Sequence, residues 1–236
     1  MVRVGRHMTT PQLRGVICID AGGVLYYKND GGDETSVERN PIAGAVEWVT
    51  KLKEEGFKLY LVSFAGRKTA SLTKGDMEKN FSGLFDGVFF VKNKLEKIAV
   101  CRWLGADVMV DDTAEILTTI KTGLYLGKAK EIAGVPTMVR VLFTGDPTNA
   151  GVGGGGDDAE VAGSWEEVHR ICCGIGSTGN SHQPDLSIDV SKFVYADLSS
   201  VPPKGPGSGP GSGPSSGPTQ KTGKQDKKQK PKCGTN

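Results

Sequence analysis

Polar side chains follow short apolar runs in this sequence, at the points where the strands of a sheet would end. Asp20 closes the run GVICID, and Ser63 closes FKLYLVS. Asp111 closes DVMVD and is followed at once by Asp112. Because parallel strands bring their carboxyl ends to one edge of a sheet, we expect these side chains to converge there.

This combination of side chains suits the handling of a phosphoryl group. A carboxylate can attack phosphorus and form an acyl-phosphate, and a second acidic site lets a Mg2+ ion be shared with the phosphate. A hydroxyl donates a hydrogen bond to a phosphoryl oxygen, and a lysine offsets the negative charge. A third apolar run, GVFFV, is followed by three lysines: Lys92, Lys94 and Lys97.

Apolar runs and helical repeats alternate along most of the chain. Asn40-Pro41 predicts the N-cap and first residue of a helix, and Ser164 with Glu167 predicts a capping box before a last helix. The alternation predicts an α/β fold, with a Rossmann-like parallel sheet of about five strands and helices on both faces. The predicted strands are residues 15–20, 57–63, 87–91, 107–111 and 138–143.

Four segments in this order, ICIDAGGVL, LYLVS, the lysine-bearing helix and VMVDD, resemble the four motifs of the haloacid dehalogenase (HAD) superfamily. The resemblance covers roughly residues 14–145 and places a HAD-like domain at residues 11–173. It implies Asp20 as the nucleophile and a Mg2+ ligand, with Ser63 as the hydroxyl of the second motif. The spacing from Gly105 and Asp111 favours Lys97 as the lysine of the third motif, with Lys94 as the next candidate.

The resemblance also implies the ligands of the metal and the contacts of the substrate. The metal set is Asp20, the backbone carbonyl of Gly22, Asp111 and Asp112. The candidate substrate-binding residues are Gly22, Gly23, Phe64 and Arg67, of which Arg67 would hold an anion near the mouth of the cleft. A solvated helix start is an equally good interpretation of Arg67.

One position departs from the family pattern. HAD phosphatases usually carry a second aspartate two residues after the nucleophile, where it protonates the leaving oxygen and later activates water. This chain has Gly22 there, and the loss of general acid–base assistance typically costs about 10²–10⁴-fold in rate. We therefore expect a phosphohydrolase of low or specialised activity. The alternative is a catalytically impaired binding or regulatory protein of the same fold.

The segments after the first and second motifs, about residues 26–40 and 64–86, are too short to hold a cap domain. The resemblance to capless members implies an open cleft and a large phosphorylated substrate, such as a nucleotide or polynucleotide end or a phosphoprotein.

The end of the chain differs sharply from the rest in composition. Residues 174–201 form a poorly defined extension, and residues 202–236 read as a disordered Gly/Pro/Ser linker with a lysine-rich tail. The formal net charge of +2 divides into +6 for residues 201–236 and −4 for residues 1–200. A basic tail of this kind can contact nucleic acid, or it can be a solubilising extension with no dedicated partner.

Composition excludes several other classes of protein. No apolar run approaches the length of a membrane span, so no membrane partner is expected. The five cysteines include no CxxC pair, which disfavours a disulfide framework and a cysteine zinc site. We interpret the chain as intracellular, cytoplasmic or nuclear. The sequence leaves the oligomeric state open.

Overall fold

The strands of the sheet are apolar almost throughout because both faces of the sheet are covered. The computed structural model describes residues 13–28, 39–122, 138–147, 159–175 and 183–200. Its one six-stranded sheet has the order β3-β2-β1-β4-β5-β6, and every neighbouring pair is parallel. The strands are β1 (Gly15–Ile19), β2 (Phe57–Phe64), β3 (Gly87–Val91), β4 (Val108–Asp111), β5 (Val139–Phe143) and β6 (Glu160–Ala162).

Helices cover the two faces of this sheet. Alternate residues of β1 enter opposite cores: Ile17 and Ile19 lie in one buried cluster, and Val16 and Cys18 lie in the other. The first cluster also contains side chains of α1 (Ala45–Glu54), α2 (Arg67–Asn80) and α5 (Trp165–Gly174). The second contains side chains of α3 (Glu96–Leu104) and α4 (Ala114–Thr122). The predicted α/β fold with helices on both faces is confirmed.

One detail of the sequence prediction is wrong. The first helix begins at Ala45, after Gly44 at the N-cap with φ 79°, and not at Asn40-Pro41. Pro41 instead forms an antiparallel bridge with Tyr26, and the Ile42 N–H donates to the Leu25 carbonyl at 2.8 Å. The sheet also has a sixth strand, β6, whose three residues are too few to show an alternating pattern.

The described part of the predicted extension, residues 183–200, packs against the edge strand β3. The Tyr195 N–H donates to the Phe90 carbonyl at 3.0 Å, and the Ser200 N–H donates to the Val88 carbonyl at 2.8 Å. Val190 and Val194 are buried in the second core cluster. This segment therefore pairs with an edge that would otherwise present open backbone groups.

The boundaries 11–173 and 174–201 stay predictions, and the predicted tail, residues 202–236, lies outside the described residues. Among the residues that are described, no helix combines the length and apolar character needed to cross a membrane.

Candidate active site

Asp20 is held at the carboxyl end of β1 by a tight turn. Its backbone N–H donates to the Val110 carbonyl of β4 at 3.0 Å, which extends the strand pairing by one residue. The Ala21 carbonyl then accepts the N–H groups of Leu25 and Tyr26, at 2.9 and 3.0 Å. The sequence AGGVLYY closes into this turn because Gly23 adopts a left-handed backbone with φ 76°. The carboxylate of Asp20 is thereby fixed at the sheet edge, where it is buried.

The side chain of Lys97 reaches the Asp20 carboxylate from the first turn of α3. The Glu96 carboxylate accepts the N–H groups of Lys92 and Asn93, at 3.0 and 2.8 Å, and so orders the loop before α3. Lys97 is the second residue of α3 and is 3% exposed. Its Nζ lies 2.6 Å from Asp20 Oδ2 and 2.8 Å from Asp111 Oδ2.

The structure therefore distinguishes the two candidate lysines. Lys94 is exposed on the loop before the helix, whereas Lys97 is one turn further along and faces inward. Lys97 is the lysine that contacts the carboxylates, and the alternative placement of Lys94 in this role is not supported by the geometry.

Asp111 and Asp112 are positioned by the end of β4 and the start of α4. The Thr113 N–H donates to Asp111 Oδ1 at 2.9 Å, and the Thr113 hydroxyl bonds to Asp112 Oδ1 at 3.2 Å. The other Asp112 oxygen, Oδ2, forms an ion pair with the amine of Lys28. One carboxylate oxygen from each of Asp20, Asp111 and Asp112 lies within 4.8 Å of the other two.

The buried side chains of this cluster carry an excess of negative charge. Three buried carboxylates face one buried ammonium, that of Lys97, while Lys28 is partly exposed. Burial alone lowers the pKa of Lys97, but the charges of Asp20 and Asp111 outweigh it and hold that pKa above its ordinary value. Burial raises the pKa of Asp111 to about 6, against the opposing effect of Lys97 and with a further contribution from Asp20. A hard divalent cation is the ligand that this excess of carboxylate oxygen fits.

Comparison with known proteins addresses the fold. No family model matches the chain, and no curated protein matches it either. Among solved structures, the chain resembles D,D-heptose 1,7-bisphosphate phosphatase from B. bronchiseptica, complexed with magnesium and phosphate. The identity is 13% and the TM-score 0.50, over 66% of this chain and 97% of that chain.

Two further structures are similar to a lesser degree. D,D-heptose 1,7-bisphosphate phosphatase from Burkholderia thailandensis matches at 12% identity and TM-score 0.44, over 66% of this chain and 97% of that one. A HAD-superfamily hydrolase from Ehrlichia chaffeensis matches at 13% identity and TM-score 0.43, over 71% of this chain and 99% of that one. At such identities a likeness concerns the fold alone.

The match at TM-score 0.50 spans nearly all of the B. bronchiseptica enzyme. In this chain the residues of all four motifs also occupy the carboxyl edge of the sheet or the helix beside it. The chain has the HAD-like fold. Between β2 and β3 of this HAD-like domain, residues 65–86 are described throughout and contain one helix, α2, with no additional domain.

The remaining predicted site residues lie near the same edge of the HAD-like domain, in different surroundings. Ser63 is buried near the end of β2, two residues beyond the Leu61 that pairs with Ile19. Phe64 is 42% exposed. It lines a shallow depression together with Lys92, Asn93, Lys94, Leu95 and Glu115.

Arg67 is engaged elsewhere in the structure. Its Nη2 lies 2.5 Å from Asp197 Oδ2, and its guanidinium lies 5.7 Å from the centre of the Tyr195 ring. Both partners belong to the docked segment 183–200. Arg67 therefore joins α2 to that segment, and its predicted role as an anion holder is not supported by these contacts.

Sequence reasoning missed Lys28 and Asp146. Lys28 pairs with Asp112, and its backbone N–H donates to Asp146 Oδ2 at 2.9 Å. Asp146 is fully buried, three residues after β5. Asp146 comes three residues after β5, whereas Asp20 and Asp111 end their apolar runs directly, so the signal that identified them is weaker for Asp146. Lys28 carries no comparable signal, because it follows the turn in an irregular polar stretch.

The two glycines of the turn differ in what a side chain would meet. Gly22 has open space, with no atom within 4 Å of the position that a Cβ would occupy. Gly23 has φ +76°, and a Cβ there would overlap Asp112 Oδ2 and lie 2.9 Å from the Cε of Lys28. The close approach of the turn to Asp112 thus requires glycine at position 23 and not at position 22.

We expect Gly23→Ala to lower the free energy of unfolding by at least about 1–2 kcal/mol, the cost of a left-handed backbone for an L-residue. The displaced Asp112 should also weaken any stabilisation by Mg2+. Gly22→Ala is the matched control and should change stability by less than about 0.5 kcal/mol. Urea denaturation with and without Mg2+ measures both effects. Equal losses in the two variants would contradict the assignment of the turn.

Lys97 and Lys94 provide a second matched pair. Lys97→Met leaves the carboxylates of Asp20 and Asp111 buried without their shared cation, and we expect a loss of about 3–5 kcal/mol in the free energy of unfolding. Lys94→Met, on the exposed loop, should change it by less than about 0.5 kcal/mol. Thermal and urea denaturation at neutral pH measure the difference. Similar stabilities for the two variants would show that the Lys97 contacts carry little energy.

Proposed function

We propose that this protein is a Mg2+-dependent phosphohydrolase that acts through an aspartyl-phosphate on Asp20. The observation that carries the proposal is the buried cluster at the sheet edge. Carboxylate oxygens of Asp20, Asp111 and Asp112 lie within 4.8 Å of one another, and the Lys97 amine contacts two of these residues. This is the arrangement that phosphoryl transfer requires, because the chemistry consists mostly of positioning and charge compensation.

The residues present fit a magnesium ion. Asp20, Asp111 and Asp112 would hold it, together with the backbone carbonyl of Gly22 that the family resemblance implies. When bound, the ion supplies positive charge that stabilises the charge developing on the phosphoryl oxygens. The B. bronchiseptica phosphatase of similar fold was obtained with magnesium and phosphate, which supports the choice of ion for this chain.

Each side chain of the site has a step in the proposed reaction. A carboxylate oxygen of Asp20 attacks phosphorus, and the bond from phosphorus to the leaving oxygen breaks with its electron pair on that oxygen. Lys97 keeps its charge throughout, because two carboxylates face its amine. Ser63 donates a hydrogen bond to a phosphoryl oxygen. Water then attacks the aspartyl-phosphate, which releases phosphate and restores Asp20.

Gly22 limits the substrates that this mechanism serves. No side chain at position 22 can protonate the leaving oxygen or accept a proton from the attacking water. The first step therefore favours leaving groups that are stable as anions, such as phenolates or phosphates. We propose that hydrolysis of simple alkyl phosphates is slow for this reason.

The surroundings of the site support a flat or extended anionic substrate, such as a nucleotide or a polynucleotide end. The segment between β2 and β3, residues 65–86, contains the helix α2 and no additional domain. The depression lined by Phe64 and by residues 92–95 combines a partly exposed aromatic ring with two lysines, Lys92 and Lys94, of which Lys92 also donates to the Lys192 carbonyl at 3.2 Å. An aromatic face and two amines can receive a base and a second phosphate.

Gly22 also favours a second candidate function. A HAD-like domain that keeps the metal site but lacks the acid–base group can serve as a binding or regulatory protein. In that case the basic tail of residues 201–236, with its formal charge of +6, would contact nucleic acid.

Hydrolysis of p-nitrophenyl phosphate tests the two candidates, because its leaving group needs little protonation. For the enzyme, we expect turnover with Mg2+ that is lost when EDTA is added and restored by excess Mg2+. Rates equal to those of buffer at all Mg2+ concentrations would contradict the phosphohydrolase and leave the binding protein as the better account.

A further inference from the structure

A second cluster of ligand-type side chains lies at the opposite edge of the sheet from Asp20. His169 and Cys173 are one turn apart on α5, and Glu55 follows the last residue of α1. Arg14 comes directly before β1 and contacts Glu55. Because Arg14 and Glu55 precede β1 and β2, the cluster lies at the amino ends of the strands. We call it the Glu55–His169–Cys173 cluster.

The three side chains converge on a common point. His169 Nε2 lies 2.8 Å from Glu55 Oε1, and Cys173 Sγ lies 2.9 Å from Glu55 Oε2. Cys173 Sγ and His169 Nε2 are 3.5 Å apart. One ligand atom from each residue thus falls within 4.8 Å of the other two. All three residues are partly exposed, so an ion from solvent can reach them.

This geometry does not fit a nucleophile relay. In such a relay the acid holds one ring nitrogen of the histidine while the other nitrogen faces the nucleophile. Here Glu55 and Cys173 both approach the same nitrogen, Nε2. The three ligand atoms instead lie close enough together to share a single cation.

We propose that the Glu55–His169–Cys173 cluster binds a divalent transition-metal ion, Zn2+ in the first instance, through one sulfur, one nitrogen and one oxygen. These are the ligand types that Zn2+ selects, and three protein ligands leave a fourth position for water. The site is separate from the carboxylate cluster around Asp20, whose oxygen-only ligands suit Mg2+.

Neighbouring groups already hold two of the ligands in place. The Trp48 ring lies 4.8 Å from the His169 ring, centre to centre, at a tilt of 46°. Arg14 Nη1 lies 2.6 Å from Glu55 Oε2, which leaves Oε1 for the ion. Supporting contacts of this kind orient metal ligands and raise affinity.

Binding of the ion must displace a proton from Cys173. Burial, together with the hydrogen bond to Glu55, raises the pKa of this thiol to about 11, so the sulfur carries its proton before the ion arrives. The thiol proton leaves to solvent as the sulfur–metal bond forms. The thiolate then supplies one negative charge to the ion, and Glu55 is shared between the ion and Arg14.

Titration of the whole 236-residue chain with Co2+ tests the proposal, because a thiolate-bound Co2+ ion shows a near-ultraviolet charge-transfer band. Cys233→Ser is used as the background, since Cys233 lies in the tail and could bind Co2+ independently. We expect the band in this background, its loss on addition of Zn2+, and its loss in Cys173→Ser. His169→Gln should weaken Co2+ binding by more than about 10-fold, the lower limit for losing even a supporting partner of a metal ligand.

Cys172→Ala is the matched control, because Cys172 is the neighbouring cysteine on α5 and is fully buried in the first core cluster. The band should persist in this variant. Absence of the band in the background protein, or its persistence in Cys173→Ser, would overturn the proposal. Circular dichroism of each variant establishes that it is folded. None of these outcomes depends on phosphohydrolase activity.

Discussion

Gly22→Asp is expected to raise the rate of alkyl phosphate hydrolysis by about 10²–10⁴-fold, the usual contribution of general acid–base catalysis. The aspartate would protonate the leaving oxygen and then accept a proton from the attacking water. The structure can receive this side chain, because a Cβ at position 22 meets no atom within 4 Å and Gly22 does not have a positive φ. The measurement is kcat/KM for an alkyl monophosphate such as glycerol phosphate, with Mg2+ present.

Gly22→Asn is the control for this gain, since asparagine has nearly the same shape but does not transfer protons. It should leave the rate on glycerol phosphate unchanged. Hydrolysis of p-nitrophenyl phosphate should change much less in Gly22→Asp than that of glycerol phosphate. A gain of equal size in Gly22→Asn, or no gain in a folded Gly22→Asp protein, would show that the missing carboxyl is not what limits the reaction.

Asp20→Asn is expected to reduce Mg2+-dependent hydrolysis of p-nitrophenyl phosphate by about 10³-fold or more, the scale of losing a nucleophile from a catalytic assembly. The amide cannot form an acyl-phosphate. The variant should still fold, because the Asn oxygen can accept the Ala21 N–H that Asp20 Oδ1 accepts at 2.7 Å. Lys97 also keeps its contact with Asp111.

The same assay on Asp189→Asn provides a control for Asp20→Asn, because Asp189 is an exposed acid on the docked segment 183–200. Its activity should equal that of the parent protein. Retention of more than a few per cent of parent activity in Asp20→Asn would mean that another group attacks phosphorus.

The sequence predicted the parts of this molecule that depend on local pattern. Buried parallel strands need apolar residues on both faces, so β1 to β5 appear as short apolar runs, and the acids that end them share an edge. Lys97 was predicted from its spacing, and its burial separates it from Lys94.

Contacts between distant segments could not be predicted in this way. Arg67 and Asp197 are 130 residues apart, and Glu55 and Cys173 are 118 apart. No periodicity relates residues at such separations, so the Arg67–Asp197 ion pair and the Glu55–His169–Cys173 cluster emerged only in three dimensions. The first helix begins later than predicted for a related reason: pairing of Pro41 with Tyr26 overrode a local N-cap signal.

The most direct test of the central claim is a crystal structure of this protein grown with Mg2+ and beryllium fluoride, a mimic of a phosphoryl group on aspartate. We predict a Mg2+ ion bound by carboxylate oxygens of Asp20 and Asp111, and a fluoroberyllate group on Asp20 next to the amine of Lys97. A structure with both reagents at saturating concentration, but with no ion between Asp20 and Asp111, would contradict the account.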